Sequence, residues 1–156
     1  MDDCNYPTGR RPEYKSKAER QIGAFLDSRR IPYIYEKPTA VMDAGKLKIW
    51  YPDYTLQCGP LIEYFGVIGD RDYINSARHK LRVYQENQFD VISLYPADMV
   101  PQWPQNLVGR IELVLERRIQ DLRHCGSAHG KDATRCFPSV PSGAPSVKTT
   151  TRYHFT

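Results

Sequence analysis

Two acidic residues stand in neighbouring segments that otherwise have the composition of β-strands. Asp53 lies in the segment 50–56 and Glu63 in the segment 61–66, with only a few residues between the two segments. If residues 57–59 form a three-residue hairpin loop with the glycine last, which is a preferred connection, Asp53 faces Glu63 directly. Their Cβ atoms then lie about 4.5–5.5 Å apart on one face of the sheet. Facing carboxylates repel each other, and a divalent cation compensates them well, because Mg²⁺ binds one or two carboxylates with water and phosphate oxygens.

Two other interpretations of this acid pair stay open. A loop of two or four residues would shift the register and move Asp53 and Glu63 to opposite faces of the sheet. With the three-residue loop, the two acids are also compatible with a solvated sheet face that has no ligand. Glu36, at the end of the preceding strand, is interpreted as a solvated strand end, with a further acid near the metal as the alternative.

Glu19 is the third candidate acid. It stands three residues after Ser16, which is the spacing of a capping box at the start of a helix. In that role its carboxylate only accepts a hydrogen bond at the start of the helix and has no further function. Its position on the first helix also allows it to reach the pair of acids, and the two roles do not exclude each other.

Lys80 is the basic residue most suited to the same site. It shares a helical stripe with Tyr73, Ala77 and Tyr84, and this stripe is expected to face the sheet. A lysine is rarely placed on such a face without a partner, so an inward ammonium near two carboxylates is the functional interpretation. The alternative is a side chain that extends past Tyr84 to solvent.

The patterns along the chain predict the elements that position these residues. Apolar residues at helical spacing and β-branched or aromatic runs predict the order α-β-β-β-α-β-α, an α/β fold with a central mixed four-stranded sheet flanked by helices. The last strand has a continuous apolar run and is expected to be an inner strand. The predicted helices cover residues 16–28, 72–87 and 105–123, and the predicted strands cover 32–36, 47–56, 60–67 and 90–95, with a turn at 42–45.

Changes in composition divide the chain into three parts. Residues 1–14 mix proline, glycine and charge and are expected to be an extended lead-in. Residues 15–124 hold all the predicted elements and form the expected domain. Residues 125–156 are rich in Gly, Ser, Thr and Pro, which predicts a flexible polar tail.

The signature residues resemble those of the PD-(D/E)XK, or restriction endonuclease-like, nuclease superfamily. The sequence has Pro52-Asp53, nine intervening residues, and then Glu63-Tyr64-Phe65. The resemblance covers residues 15–123 and extends to the order of a helix with an acid, a hairpin with the signature, a helix and a strand. One position departs from it: the lysine expected two residues after the second acid is Phe65. Some members supply this lysine from the following helix, and Lys80 is placed for that substitution.

The resemblance implies a metal-dependent endonuclease that hydrolyses DNA phosphodiester bonds in repair, recombination, restriction or transposition. It assigns catalysis to Glu19, Asp53, Glu63 and Lys80. It assigns Mg²⁺, or Mn²⁺ in its place, to Asp53, Glu63, Glu19 and the backbone carbonyl of Tyr64. The alternative is a catalytically degenerate module on the same fold that binds nucleic acid or a protein partner, and Phe65 is its best support.

Net charge says little about the partner, whereas local clusters say more. Of the net charge of +4, residues 125–156 contribute +3 with four basic residues and one acidic residue, which leaves +1 for residues 1–124. DNA is the expected partner, RNA stays open, and a homodimer or a partner protein is expected to help select the site. Tyr51, Tyr54 and Tyr73 are candidates to stack on exposed bases. The candidate phosphate contacts are Lys17, Arg20, Arg78, His79 and Arg82.

The remaining composition excludes several classes. No run of roughly 18 apolar residues is present, and the first residues have no apolar stretch, so neither a membrane span nor a secretory signal is expected. The cysteines Cys4, Cys58, Cys125 and Cys136 are scattered and do not suggest a disulfide framework. The expected location is the reducing cytoplasm.

Overall fold

The computed structural model describes residues 12–127, and its first element is the helix that the capping box predicts. Helix α1 (Lys17–Ser28) starts after Ser16, whose hydroxyl accepts a hydrogen bond from the amide of Glu19 at 3.1 Å. Ile22 and Leu26, one turn apart, are fully buried in the main core. Of the predicted lead-in, residues 12–14 lie in neither helix nor strand, and residues 1–11 lie outside the described part.

Within residues 12–127, six strands form two sheets, and the larger is the predicted mixed four-stranded sheet. Its spatial order is first, fourth, fifth and sixth strand, with antiparallel pairs except for the parallel pair of the last two. The strand predicted to be an inner one therefore lies at the edge, although both its faces are covered. In chain order the strands are β1 (Tyr33–Tyr35), β2 (Thr39–Asp43), β3 (Lys46–Trp50), β4 (Tyr54–Leu56), β5 (Leu61–Tyr64) and β6 (Val91–Leu94).

Strands β2 and β3 form a separate antiparallel hairpin that the sequence did not reveal. The predicted turn at 42–45 falls on its tight loop, where Ala44 and Gly45 have φ of +51° and +75°. Two consecutive positive φ values are typical of a type I′ hairpin turn. The prediction of one strand over 47–56 was wrong, because the chain breaks between β3 and β4 at residues 51–53. Pro52 in that break lacks the amide that a continuing strand would donate.

The β2–β3 hairpin is an excursion whose two ends meet at the main sheet. Tyr35 of β1 pairs with Tyr54 of β4, and next to this pair the amide of Glu36 donates to the carbonyl of Asp53 at 3.1 Å. Glu36 has φ of +47°, a left-handed conformation that lets the chain turn out of the sheet. The chain thus leaves the sheet at Glu36 and returns at Asp53.

Two helices complete the architecture on opposite faces of the main sheet. Helix α2 (Arg71–Glu86) packs with Val83 and Tyr84 against Val41 of β2 and Leu61 of β5. Helix α3 (Trp103–Ser127) packs with Leu107 and Ile111 in the same core as α1. Residues 12–119 belong to one compact unit, and the described residues 120–127 of the second unit continue α3. The predicted last helix begins two residues earlier than expected and overlaps the first three residues of the predicted tail.

No helix within residues 12–127 is both long enough and apolar enough to cross a membrane. The fold is thus an α/β arrangement with a mixed four-stranded sheet between α1 and α3 on one face and α2 with the small hairpin on the other. The rest of the predicted tail, residues 128–156, lies outside the described part.

A buried aspartate fastens the small hairpin to α2. Asp43 is 5% exposed. Its Oδ2 accepts a hydrogen bond from Lys48 Nζ at 2.6 Å and lies 3.2 Å from His79 Nε2. The hydrogen bond from Lys48, and then that from His79, lowers the pKa of Asp43 below its ordinary value. A carboxyl with a lowered pKa in the folded state stabilises the fold at neutral pH, and this contribution disappears as the pH falls through that pKa.

We therefore expect Asp43→Asn to lower the melting temperature at pH 7 by roughly 2–4 °C. This difference in melting temperature should narrow as the pH falls below 4 and through the lowered pKa of the folded Asp43, because the wild-type carboxyl then becomes neutral as well. Thermal unfolding followed by circular dichroism, at pH 7 and below pH 4, measures the difference in melting temperature between wild type and variant. Asp121→Asn, at an exposed position of α3, is the control and should leave the melting temperature unchanged. An Asp43→Asn gap that is equal at both pH values would contradict the assignment.

Candidate active site

The β4–β5 hairpin has the register that the three-residue loop predicts. Thr55 pairs with Leu61, and the amide of Leu56 donates to the carbonyl of Pro60 at 2.9 Å. Gly59, the last loop residue, has φ of +111°, a value that side chains rarely allow. The prediction of a three-residue loop is confirmed.

This register places the two signature acids opposite each other. Tyr54 pairs with Ile62, so the next positions outward on the two strands are Asp53 and Glu63. Glu63 is 2% exposed and Asp53 is half-buried. The interpretation of these acids as a fully solvated sheet face is therefore wrong for Glu63, and the predicted facing pair is present.

Asp53 is a carboxyl group with little compensation for its charge. Its Oδ2 accepts a hydrogen bond from the amide of Tyr64 at 2.7 Å. Burial, and after it the negative charge of Glu63, raises the pKa of Asp53 to about 7. The Tyr64 amide and the Lys80 ammonium act in the opposite direction but do not outweigh these causes. A bound cation would supply the positive charge that this carboxylate lacks.

Glu63 has a protein partner on each of its oxygens. Oε2 accepts a hydrogen bond from Lys80 Nζ at 2.7 Å, and Oε1 accepts one from the hydroxyl of Tyr84 at 2.8 Å. Burial is the largest effect on its pKa, which lies above the ordinary value despite Lys80. Lys80 and Tyr84 lie one helical turn apart on α2, so a single helix face holds both oxygens.

The inward position of Lys80 confirms the helical-stripe prediction. Its side chain is 30% exposed and bridges the buried Glu63 and an open surface. Its ammonium also lies 5.9 Å from the centroid of the Tyr84 ring. Phe65, which occupies the position where the resemblance expects a lysine, is buried and stacks on Tyr95 with centroids 5.6 Å apart. Position 65 therefore serves packing, and α2 provides the positive charge.

Glu19 caps its helix and also faces the candidate site. Its Oε2 accepts hydrogen bonds from the Tyr35 hydroxyl at 2.5 Å and from the Lys15 amide at 3.2 Å. The capping box is thus displaced by one residue, since the carboxylate reaches Lys15 and not the Ser16 amide. The charge of Glu19 contributes to the raised pKa of Asp53, so the two carboxylates lie within electrostatic reach.

The donor set fits an ion held mainly by two carboxylates. Among residues 12–127, no three His, Cys, Asp or Glu side chains come together as a group that could hold a metal ion. A tight cluster of Asp53, Glu63 and Glu19 is therefore not assembled. Two carboxylates lie within the number that Mg²⁺ or Mn²⁺ takes in proteins, with water, carbonyl and phosphate oxygens completing the shell.

The five basic residues predicted to bind phosphate fall into two groups. Lys17 and Arg20 at the start of α1, and Arg78 on α2, are exposed. His79 and Arg82 are engaged within the protein: His79 Nδ1 lies 3.1 Å from Arg82 Nη2, while its Nε2 contacts Asp43. Among the tyrosines predicted to stack on bases, Tyr54 was a wrong choice, since it is fully buried and its hydroxyl donates to the Glu19 carbonyl.

An open cleft of about 670 Å³ lies beside Lys80, the residue that pairs with Glu63. Residues 49–51, at the end of β3 and in the break after it, line it together with α2, and the lining includes Lys80. Sequence reasoning missed this cleft, because it depends on the unpredicted β2–β3 hairpin. It also missed the roles of Tyr84 and Tyr35, although Tyr84 has the helical spacing to Lys80 that could have suggested one.

No protein-family model matches the sequence, and a comparison with curated proteins finds no match either.

The hydroxyl of Tyr84 is expected to matter because its acceptor is charged and buried. Tyr84→Phe should lower the free energy of unfolding by about 1.5–3 kcal/mol, the usual value of a hydrogen bond to a charged group. Chemical denaturation measures this loss. Tyr14→Phe is a matched control, since its hydroxyl is hydrogen-bonded to another tyrosine hydroxyl, that of Tyr33, at 2.6 Å, and its loss should cost less. In a Glu63→Gln background the cost of Tyr84→Phe should shrink, and an undiminished cost would contradict the role.

Proposed function

We propose that the protein is a metal-dependent nuclease of the PD-(D/E)XK kind whose catalytic lysine comes from the helix after the hairpin. The contact between Lys80 and Glu63, opposite Asp53, is the observation that carries this proposal. The order of elements around the main sheet supports the proposal. It follows the expected α-β-β-β-α-β-α sequence, with the elements α1, β1, β4, β5, α2, β6 and α3. The β2–β3 hairpin is then an addition to this core.

Each residue of the site has a defined task in this proposal. Asp53 and Glu63 would hold Mg²⁺ or Mn²⁺, with the Tyr64 carbonyl and, through water, Glu19 as further donors. The chemistry that such an ion would supply, when bound, is Lewis acidity and a bound water of lowered pKa for hydrolysis of a phosphodiester. Lys80 holds the Glu63 carboxylate in place and presents a positive charge to the phosphate. The Tyr64 amide and the Tyr84 hydroxyl fix the orientation of the two acids.

A second candidate function is a nucleic-acid or protein-binding module without catalysis. The observation in its favour is that both oxygens of Glu63 already have protein partners, while position 65 carries phenylalanine. For the nuclease, DNA is the proposed substrate and RNA is tested beside it. A homodimer or a partner protein would help to select the cleavage site.

A cleavage assay separates the two functions. The full-length chain is incubated with labelled duplex, single-stranded and branched DNA and with RNA, in Mg²⁺ or in EDTA. We expect cleavage in Mg²⁺ alone, its loss in Asp53→Ala and Glu63→Ala, and its retention in Lys48→Ala, a lysine paired with Asp43 elsewhere. Cleavage that persists in both acid variants would overturn the site. Binding without cleavage of any substrate would support the module.

A further inference from the structure

The cleft beside Lys80 has two walls of different chemistry. One wall is apolar and aromatic and comes from Ile49, Trp50 and Tyr51. The other comes from α2 and is polar, with Asn75, Ser76 and Lys80 among its residues. At about 670 Å³, the cleft lies within the range of sites that hold small ligands, roughly 300–1,000 Å³. It is therefore large enough for a nucleotide.

The aromatic wall is exposed at its surface and supported behind it. Tyr51 is 53% exposed and Ile49 is 52% exposed. Trp50 is held edge-on against Tyr84 with ring centroids 5.4 Å apart, and against His79 at 6.3 Å. Tyr84 in turn binds Glu63, so the wall and the acid pair rest on the same side chains. A ring stacked on Tyr51 would lie against a preformed surface.

The charges of the cleft favour a base over a duplex backbone. A duplex presents a dense row of phosphates, which needs a surplus of positive charge on the protein. In the cleft, Lys80 is paired with Glu63 and Lys15 with Glu36, and His79 contacts Asp43, so little positive charge is left unbalanced. An exposed aromatic ring instead offers a stacking surface that accepts any base whose face is free. In a duplex the faces of the bases are covered by their neighbours, whereas an unpaired nucleotide exposes them.

We propose that this cleft binds an unpaired nucleotide with its base stacked on Tyr51. The inference rests on the proposed nuclease function and names its substrate class as nucleic acid with a single-stranded segment, such as an overhang, a flap or a loop. Lys80 is shared by the cleft and the acid pair, so the phosphate next to the stacked base lies on the side of Asp53 and Glu63.

Binding is measured without cleavage, in the full-length Asp53→Asn variant. Fluorescence anisotropy compares labelled oligothymidine, oligouridine and a hairpin duplex of equal length, in EDTA and in Mg²⁺. We expect both single strands to bind more tightly than the duplex, and the comparison between them separates DNA from RNA. Adding Tyr51→Ala should weaken single-strand binding about 5- to 150-fold, the usual range for losing one stacked base. Tyr51→Phe keeps the ring and should bind within about 3-fold of the parent.

A control and a second readout make the assignment specific. Tyr95→Ala removes an aromatic ring that is 40% exposed and lines a different pocket with Phe65, and it should leave binding unchanged. The chain has two tryptophans, so Trp103→Phe leaves Trp50 as the sole indole fluorophore. Single-stranded oligonucleotides should then quench Trp50 emission at the concentrations that give the anisotropy change.

The cleft assignment and the nuclease function on which it rests can fail separately. Duplex binding as tight as single-strand binding, or an unchanged affinity in Tyr51→Ala, would overturn the cleft assignment even if the protein cleaves DNA. Selective, Tyr51-dependent binding of single strands without cleavage in the wild type would keep the assignment and overturn the nuclease.

Discussion

Asp53→Asn is expected to give a protein that is more stable than the wild type in EDTA and inactive in Mg²⁺. Asp53 faces Glu63, and burial together with that like charge raises its pKa to about 7. At pH 8 the Asp53 carboxyl is ionised in both states, but in the folded wild type the charge is buried beside Glu63, whereas in the unfolded chain it is solvated. Asparagine removes this charge, and its amide oxygen can still accept the hydrogen bond of the Tyr64 amide. We expect a gain of about 1–3 kcal/mol, reduced by the partial exposure of the group.

The pH dependence of this gain has a defined sign. A carboxyl whose pKa is raised in the folded state destabilises the protein progressively as the pH rises from the unfolded to the folded pKa. The stability gained by Asp53→Asn should therefore be complete above pH 7 and smaller at pH 5. Urea unfolding at pH 5 and pH 8 in EDTA measures it. Mg²⁺ should raise the melting temperature of the wild type but not that of Asp53→Asn, since binding to the folded state stabilises it.

A matched aspartate provides the control for this prediction. Asp43→Asn removes a carboxylate that pairs with the Lys48 ammonium and contacts His79 Nε2, and it should destabilise the protein at neutral pH. If Asp53→Asn also destabilises the protein at both pH values, or responds to Mg²⁺ as the wild type does, Asp53 is not an uncompensated carboxylate of a metal site. The opposite signs expected for two aspartates in one domain make a general effect of the substitution easy to recognise.

Lys80→Ala is expected to impair both stability and cleavage. It leaves Glu63 buried without its cation, which in a fully buried pair costs about 3–5 kcal/mol. Because the lysine side chain is 30% exposed, we expect a loss of about 1–3 kcal/mol in the free energy of unfolding. Cleavage in Mg²⁺ should fall about 100- to 1,000-fold, the usual effect of losing one group that stabilises transition-state charge.

A double-mutant cycle separates the structural from the catalytic contribution of Lys80. In Lys80→Ala with Glu63→Gln, no unpaired charge is buried, so much of the stability should return while activity stays lost. Lys48→Ala removes a lysine of similar geometry from the Asp43 pair and should leave cleavage unchanged. Additive stability changes in the cycle would contradict the ion pair. Full activity in Lys80→Ala would exclude it as the displaced lysine.

The sequence predicted the central hairpin because local rules govern it. A three-residue loop ending in glycine determines which residues face each other, and Asp53 and Glu63 follow by counting. Lys80 followed from helical spacing in the same way. The partners of Asp43 and Glu19 did not, since His79 and Tyr35 are distant in sequence and no periodic pattern relates them.

The second sheet was missed for a different physical reason. Strands β2 and β3 are each five residues long, and three residues of the hairpin's outer face, Met42, Leu47 and Ile49, are apolar although exposed. Without a polar outer face the alternation that identifies a half-buried strand is lost. The break after Trp50 was likewise hidden, because residues 47–56 have the composition of one continuous strand and only Pro52 marks the interruption.

The closed base of the β2–β3 excursion has a consequence for how this protein can vary. Its two ends, Glu36 and Asp53, are already joined by a backbone hydrogen bond, so the intervening segment can change in length while the β1–β4 pairing persists. The wall that carries Tyr51 belongs to this excursion, whereas Glu63 and Lys80 do not. Evolution or engineering could therefore vary the β2–β3 turn and the exposed wall residues Ile49 and Tyr51, altering what the cleft accepts, while Val41, Asp43 and Trp50 keep the contacts that support α2 and the acids.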